Sequence, residues 1–368
     1  MIRFECDYGE GCCPEILDSM VKSNFCQTPG YGLDEYCETA RSHIRDLCGN
    51  PDAEVHFLVG GTQANATVIQ SILRPYQGVM GAPTAHIAHH ETGAVEHTGH
   101  KVLVLDGALA KRMGNGTVPA EEAAALRDSK ITARLIQAAY DEHWNDATHE
   151  HIVQPGMVYL AHPSENGMLY SKAELQAISR TCRKLNLPLY LDGARLGYGL
   201  CADGNDVNIR DIAELTDVFY IGGTKCGALF GEAVVITDRR LAKDFRYSIK
   251  MSGGMLAKGR LLGIQFAKLL ERRADGGMLY TDVCRRAVVQ AYRIRDAFRA
   301  KGIPLIYDSP TNQQFPVLTK ARQRRLAERF AFEEWVPVDA GSDAVRFCTS
   351  WATKPEDTDS LVKTIGQL

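Results

Sequence analysis

Lys225 stands in Phe219-Tyr220-Ile221-Gly222-Gly223-Thr224-Lys225-Cys226-Gly227, directly after an apolar run and among glycines and a hydroxyl. The stretch from Thr216 to Ile221 reads as a buried strand, and Gly222-Gly223 removes side-chain bulk where the chain leaves the sheet. Open α/β sheets bind ligands beyond the carboxyl ends of their strands, which would aim Lys225 into a crevice. A poorly solvated lysine loses its proton near neutral pH and can then hold an aldehyde as a Schiff base. Taken alone, a solvated loop lysine explains the same stretch better.

Two further elements change that balance. Leu187-Pro188-Leu189-Tyr190-Leu191-Asp192-Gly193-Ala194-Arg195 is another apolar strand, and it ends in a carboxylate. Pyridoxal 5'-phosphate acts as an electron sink while its ring nitrogen stays protonated, and an aspartate hydrogen-bonded to that N–H keeps it so. The plain alternative is that Asp192 caps the next turn. Upstream, Val55 to Val59 followed by Gly60-Gly61-Thr62-Gln63-Ala64-Asn65 reads as strand, glycine pair and helix start. Such a start offers unpaired backbone N–H groups and the positive end of the helix dipole to a phosphate, with the Thr62 hydroxyl beside them. It is neither a Walker loop nor a dinucleotide fingerprint.

The three elements in this order resemble the threonine aldolase group of fold-type I pyridoxal-phosphate enzymes, the beta-eliminating-lyase-like family. The chain is similar above all to the phenylserine aldolase and low-specificity branch. The resemblance runs from Cys13-Pro14-Glu15-Ile16 and Gly30-Tyr31-Gly32-Leu33-Asp34 through Ala85-His86-Ile87 and Glu91-Thr92-Gly93-Ala94. It extends to Val345-Arg346-Phe347-Cys348-Thr349-Ser350-Trp351. Asp-Gly-Ala-Arg and Gly-Thr-Lys at this separation are its specific pair.

The resemblance implies an α/β, aspartate aminotransferase-like fold and assigns roles to residues. Lys225 would carry the cofactor, with Gly60, Gly61, Thr62, Thr224 and Asp192 around it. His86 would stack on the ring, and Glu91 would act near it or order a catalytic water. Arg195 and Arg346 would grip the substrate α-carboxylate, a pairing that suits the bidentate guanidinium. Lys258 and Tyr31 would come from a neighbouring subunit, implying a homodimer or homotetramer with shared sites. Two positions depart from the family pattern: Glu165 stands where many members place a histidine near the substrate hydroxyl, and Cys6 replaces a carboxylate-binding serine. The implied reaction cleaves a β-hydroxy-α-amino acid to glycine and an aldehyde. A pyridoxal-phosphate β-eliminating lyase or aminotransferase would use the same apparatus, and the base on the β-hydroxyl stays open among Glu91, Glu165, His86 and water.

Composition agrees. With 368 residues, 45% hydrophobic and 24% charged, the chain can bury a large core. A formal charge of −3 gives no general attraction to nucleic acid or anionic membranes. No apolar stretch reaches spanning length, and the first residues do not read as a signal peptide. Eleven cysteines without a Cys-x-x-Cys pair fit reduced thiols and a cytoplasmic location. Strands alternate with helices, including helices expected over 15–23, 33–47, 65–73, 172–185, 256–272 and 281–300. That pattern predicts a mainly parallel sheet in a major domain over residues 1–250 and a smaller α+β domain over 251–368. His143, His149 and His151 read as part of a polar surface loop, and no metal site is expected.

Overall fold

The computed structural model describes residues 1–368. The chain enters through a short strand, β1 (Ile2–Arg3). Seven strands follow: β2 (Glu54–Leu58), β3 (Gln77–Gly81), β4 (Lys101–Val104), β5 (Gln154–Ala161), β6 (Leu189–Asp192), β7 (Val218–Gly222) and β8 (Glu232–Ile236). They form one sheet in the order β2-β8-β7-β6-β5-β3-β4. Neighbours are parallel except at β8, which is antiparallel to both β2 and β7. Strands β6, β7 and β8 are buried at every residue, which is why they read as continuous apolar runs. Because β8 runs against its neighbours, its first residue, Glu232, lies where β2 and β7 end, paired with Leu58 and Gly222.

Helix boundaries follow their caps. Helix Glu35–Cys48 begins where the Asp34 side chain accepts the Cys37 N–H at 2.9 Å, and it stops at Gly49 with φ +63°. It buries Cys37, Ala40, Ile44 and Leu47, one stripe at helical spacing. Helix Lys172–Leu185 opens on a Ser171–Glu174 capping box and ends at a left-handed Asn186. The sequence reading did not anticipate β3. Its Gly78 weakens the strand signal, yet a Cβ there would come 2.6 Å from the Lys101 carbonyl oxygen of β4. His143 also departs from expectation, lying in the last turn of helix Ala133–Asn145 rather than in a loop. No helix is long and apolar enough to cross a membrane.

The C-terminal part holds β9 (Gln313–Gln314), β10 (Val317–Thr319), β11 (Phe330–Ala331), β12 (Glu333–Asp339) and β13 (Ser342–Cys348). Strand β13 pairs antiparallel with β9, β10 and β12, while β1 adds to β11 in parallel. The chain has two apolar cores. Leu262, Phe266 and Val283 belong to the large core over the main sheet; Ile294, Phe298, Phe330, Phe347 and Leu361 make the small one. Helix Leu279–Ala300 is 22 residues long, and at about 1.5 Å per residue it spans both. Phe4 reaches the small core from the other end of the chain, against Phe330 and Phe347. This packing ties the N-terminal segment down before it reaches Arg195 through Asp7. Phe4→Ala is expected to cost about 3–5 kcal/mol in urea unfolding, while a loss below about 1 kcal/mol would mean that Phe4 anchors little.

Candidate active site

Five loops expected to carry chemistry leave the same end of the sheet. Strand β2 ends before Gly60-Gly61 and helix Gly61–Ile72, β3 before His86, β5 before Glu165, β6 at Asp192, and β7 before Lys225. These residues, with Thr62, Thr224, Arg195 and Glu232, line a cavity of about 230 Å³. Two glycine motifs bring the lysine and aspartate turns together. A Cβ on Gly193 would stand 1.9 Å from the Tyr220 carbonyl oxygen, and one on Gly222 would stand 2.4 Å from that of Ala194. The Gly222 N–H donates to the Gly193 carbonyl at 3.0 Å, so the two turns touch backbone to backbone.

Asp192 is buried and held by four donors. Its carboxylate accepts the Ala194 N–H at 2.9 Å, the Tyr159 hydroxyl at 2.6 Å, Asn65 Nδ2 at 3.1 Å and the Tyr220 hydroxyl. Asn65 also donates to Glu91 Oε1 at 2.8 Å and accepts the Tyr190 hydroxyl at 2.9 Å. Glu91 Oε1 meets His86 Nδ1 at 2.8 Å. One network therefore runs from Asp192 through Asn65 and Glu91 to the His86 ring. Burial pushes the phenols of Tyr159, Tyr190 and Tyr220 far above their ordinary range, which keeps them neutral donors. Glu91 does not line the cavity; its contacts are to the groups that do.

Lys225 lines the cavity, and its carbonyl accepts the Tyr198 hydroxyl at 2.5 Å. Burial first, then the Arg195 charge, hold its ammonium below the ordinary lysine value despite Asp7, Asp192 and Glu232. Glu165 accepts the His86 backbone N–H at 2.9 Å. Burial pushes its carboxyl up to about 8. Glu232 is likewise pushed up to about 8 by burial.

The two arginines have protein partners. Arg195 makes a bidentate pair with the fully buried Asp7, Nε to Oδ2 at 2.8 Å and Nη2 to Oδ1 at 3.0 Å. Asn312 adds a hydrogen bond to Asp7 at 2.9 Å. Burial alone would raise the Asp7 carboxyl, but Arg195, Lys225 and Asn312 outweigh it and hold it well below the usual carboxylate range. Arg346 donates to Gln313 at 2.9 Å and to the Glu5 carbonyl at 3.1 Å, pairs with Glu333, and lies over the Trp335 ring. Its Nε is buried without a partner. The segment Glu5-Cys6-Asp7 thus touches both arginines, with Cys6 between the contacts. Tyr31 and Lys258 lie outside this cavity, close to each other through the Tyr31 N–H to Ala257 carbonyl bond of 3.2 Å.

A lysine with a suppressed charge, a fixed carboxylate and a helix start with free N–H groups fit an aldehyde cofactor carrying a ring nitrogen and a phosphate. The Beta-eliminating lyase family model matches residues 7–313. The chain belongs to the beta-eliminating lyase family. A low specificity L-threonine aldolase of a Pseudomonas species is 30% identical over 364 residues, covering 96% of this chain and 93% of the relative. A solved threonine aldolase structure from Leishmania major superposes with a TM-score of 0.90 at 38% identity, covering 100% of this chain and 99% of that one. A double-mutant aspartate aminotransferase from Thermus thermophilus shares the fold at a TM-score of 0.67 and 16% identity, covering 100% and 91%. Beta-eliminating lyases are pyridoxal-phosphate enzymes of fold-type I, and the fold is the one expected.

Sequence reasoning missed Asp7, Asn65, Glu232 and the three tyrosines. The tyrosines left a trace, as phenols inside otherwise aliphatic strands. Asn65 left another, a polar residue on the buried side of a helix; Asp7 left none. Asp7→Ala leaves a buried guanidinium unpaired and is expected to cost about 3–5 kcal/mol at pH 7. The folded Asp7 pKa is depressed, so the stabilisation is full above the unfolded value of about 3.9 and fades as pH falls below it. Chemical denaturation of both proteins from pH 7 to acid should show the gap narrowing; a pH-independent gap would contradict this.

Proposed function

We propose that the protein binds pyridoxal 5'-phosphate on Lys225 and cleaves β-hydroxy-α-amino acids of the threonine, allo-threonine or phenylserine type to glycine and an aldehyde. The observation that carries the reading is the meeting of Lys225, Asp192 and the Gly60–Thr62 helix start in one cavity. The aldolases among its relatives support the reaction class.

When bound, the cofactor supplies an aldehyde for amines and a ring that takes up the electrons of the breaking Cα–Cβ bond. Lys225, its ammonium held below the ordinary lysine value by burial, offers its amine just after the end of β7. Asp192 would hold the ring nitrogen, and Gly60, Gly61, Thr62 and Thr224 would hold the phosphate. His86, fixed through Glu91, would support the ring. Arg346 and the outer face of Arg195 take the α-carboxylate, which orients the Cα–Cβ bond. Glu165 takes the β-hydroxyl proton. Glu91 is the weaker candidate, because it does not itself line the cavity.

Lys258 and Tyr31 of a neighbouring copy complete the site in this reading. Their placement outside their own chain's cavity supports it, as does the exposure of Tyr31 and Leu33 beside Tyr247 and Met251, two segments joined by the contacts of Arg246 and Lys250 with Tyr31. Eleven free cysteines support a cytoplasmic location.

Lys225→Ala should abolish turnover and the yellow colour of the bound cofactor. Incubation of the wild-type protein with threonine, allo-threonine, phenylserine and serine should give glycine and aldehyde; pyruvate and ammonia would point to β-elimination instead. With Glu165 as base, kcat/KM should rise with pH up to about 8 and flatten above. Glu165→Gln should lower kcat by roughly 10²-fold or more and remove that limb. A limb that survives the substitution would exclude Glu165.

A further inference from the structure

Glu232 has no part in the mechanism above, yet it is an acid inside the cavity. It is buried, at the first residue of the antiparallel strand β8. Oε1 lies 2.8 Å from Thr224 Oγ1, and Oε2 accepts the Gly223 N–H at 3.1 Å. The carboxyl forms no salt bridge. The groups facing it are Lys225 on its own turn, Asp192 from β6, the phenols of Tyr190 and Tyr220 from β6 and β7, and Tyr280 from helix Leu279–Ala300. Lys225 is the only cation among them, and it loses its charge whenever its amine is unprotonated. A buried carboxylate without a paired cation is unfavourable; a buried carboxylic acid that donates a hydrogen bond is not.

The Thr224 hydroxyl has one proton and two acceptor positions. Gly231 N–H already fills one acceptor position at 3.0 Å. If Glu232 is ionised, Thr224 must donate to it. If Glu232 is protonated, it fills the second acceptor position and the threonine proton is released. The remaining protein acceptor, the Gly231 carbonyl, is 3.4 Å away and already takes the N–H groups of Gly223 at 3.0 Å and Thr224 at 3.1 Å. The released proton is free to point into the cavity, where Thr224 stands with Gly60 and Thr62.

We propose that Glu232 is a positioning residue that stays protonated, donates to Thr224 Oγ1, and so makes the Thr224 hydroxyl a donor to the anionic group of a bound ligand. The inference rests on the reading of the cavity as a cofactor phosphate site and adds a proton-linked control of that binding. An anion beside Glu232 strengthens its hold on the proton, so binding is tightest while the acid is neutral. Affinity then weakens as pH rises through its ionisation in the free site, near 8. Glu232→Gln keeps a donor toward Thr224 and an acceptor toward Gly223 at every pH.

The test is the dissociation constant for pyridoxal 5'-phosphate, measured by equilibrium dialysis from about pH 6.5 to 9.5 on the wild type, Glu232→Gln, Thr224→Ala and the double variant. The ratio of the wild-type constant to that of Glu232→Gln should rise about tenfold between pH 7 and pH 9, which removes the pH dependence that the two share through Lys225 and the phosphate. In the Thr224→Ala background, where only charge repulsion between Glu232 and the anion remains, the same ratio should rise clearly less. Parallel wild-type and Glu232→Gln curves, or an equal rise without Thr224, would overturn the proposal while leaving the cofactor site intact. Failure of all four proteins to bind at any pH would overturn the cofactor reading and this inference with it.

Discussion

A carboxylate buried at the end of an all-apolar strand is the constraint around which the rest of this site is arranged. Asp192 is 4% exposed, and leaving such a group without donors would cost several kcal/mol. The protein meets that demand with three different elements: Tyr159 from β5, Tyr220 from β7 and Asn65 from the helix after β2. Each donor fixes a second thing. Tyr220 stands next to the Gly61 turn, where an added Cβ would come 3.1 Å from its hydroxyl. Asn65 carries the constraint to Glu91 and from there to the His86 ring. The groups that a cofactor would touch are thus locked to one another before any ligand arrives, which is what preorganisation requires.

The buried acids around this carboxylate divide by whether a cation reaches them. Asp7 has the Arg195 guanidinium in bidentate contact and is held charged. Glu165 and Glu232 have only neutral hydrogen-bond partners, and burial keeps their protons on near neutral pH. Two acids able to give or take a proton near pH 8 therefore face a lysine with a suppressed charge, an arrangement typical of sites that move protons. The Asp7–Arg195 pair also bears on substrate recognition. Asp7 commits one edge of Arg195, while Gln313, the Glu5 carbonyl and Glu333 occupy the guanidinium of Arg346.

The local signals at strand ends were legible because each belongs to one short stretch. Gly222-Gly223 before Lys225 and Asp192-Gly193-Ala194 announce turns, and the structure gives the physical reason for their glycines: the turns pack against each other with no room for a Cβ. The buried strands β6 to β8 were legible as unbroken apolar runs. Strand β3 was not, since the glycine that lets β4 approach also dilutes its pattern. Pairings across long separations were hidden. Asp7 and Arg195 are 188 positions apart, and nothing local distinguishes Asp7 from a surface acid. Glu232 looked like an ordinary first residue of a strand, because its meaning depends on β8 running antiparallel. Tyr31 and Lys258 were assigned through family likeness alone, and a single chain does not bring them to the cavity.

Lys225, among all lysines of the chain, is the one expected to carry the cofactor aldehyde. Borohydride reduction of the yellow protein followed by peptide mass mapping tests this most directly, because reduction makes the linkage permanent. One pyridoxyl-phosphate adduct on Lys225 is the expected result. An adduct on another lysine, or none on a protein that retains the cofactor, would contradict the account.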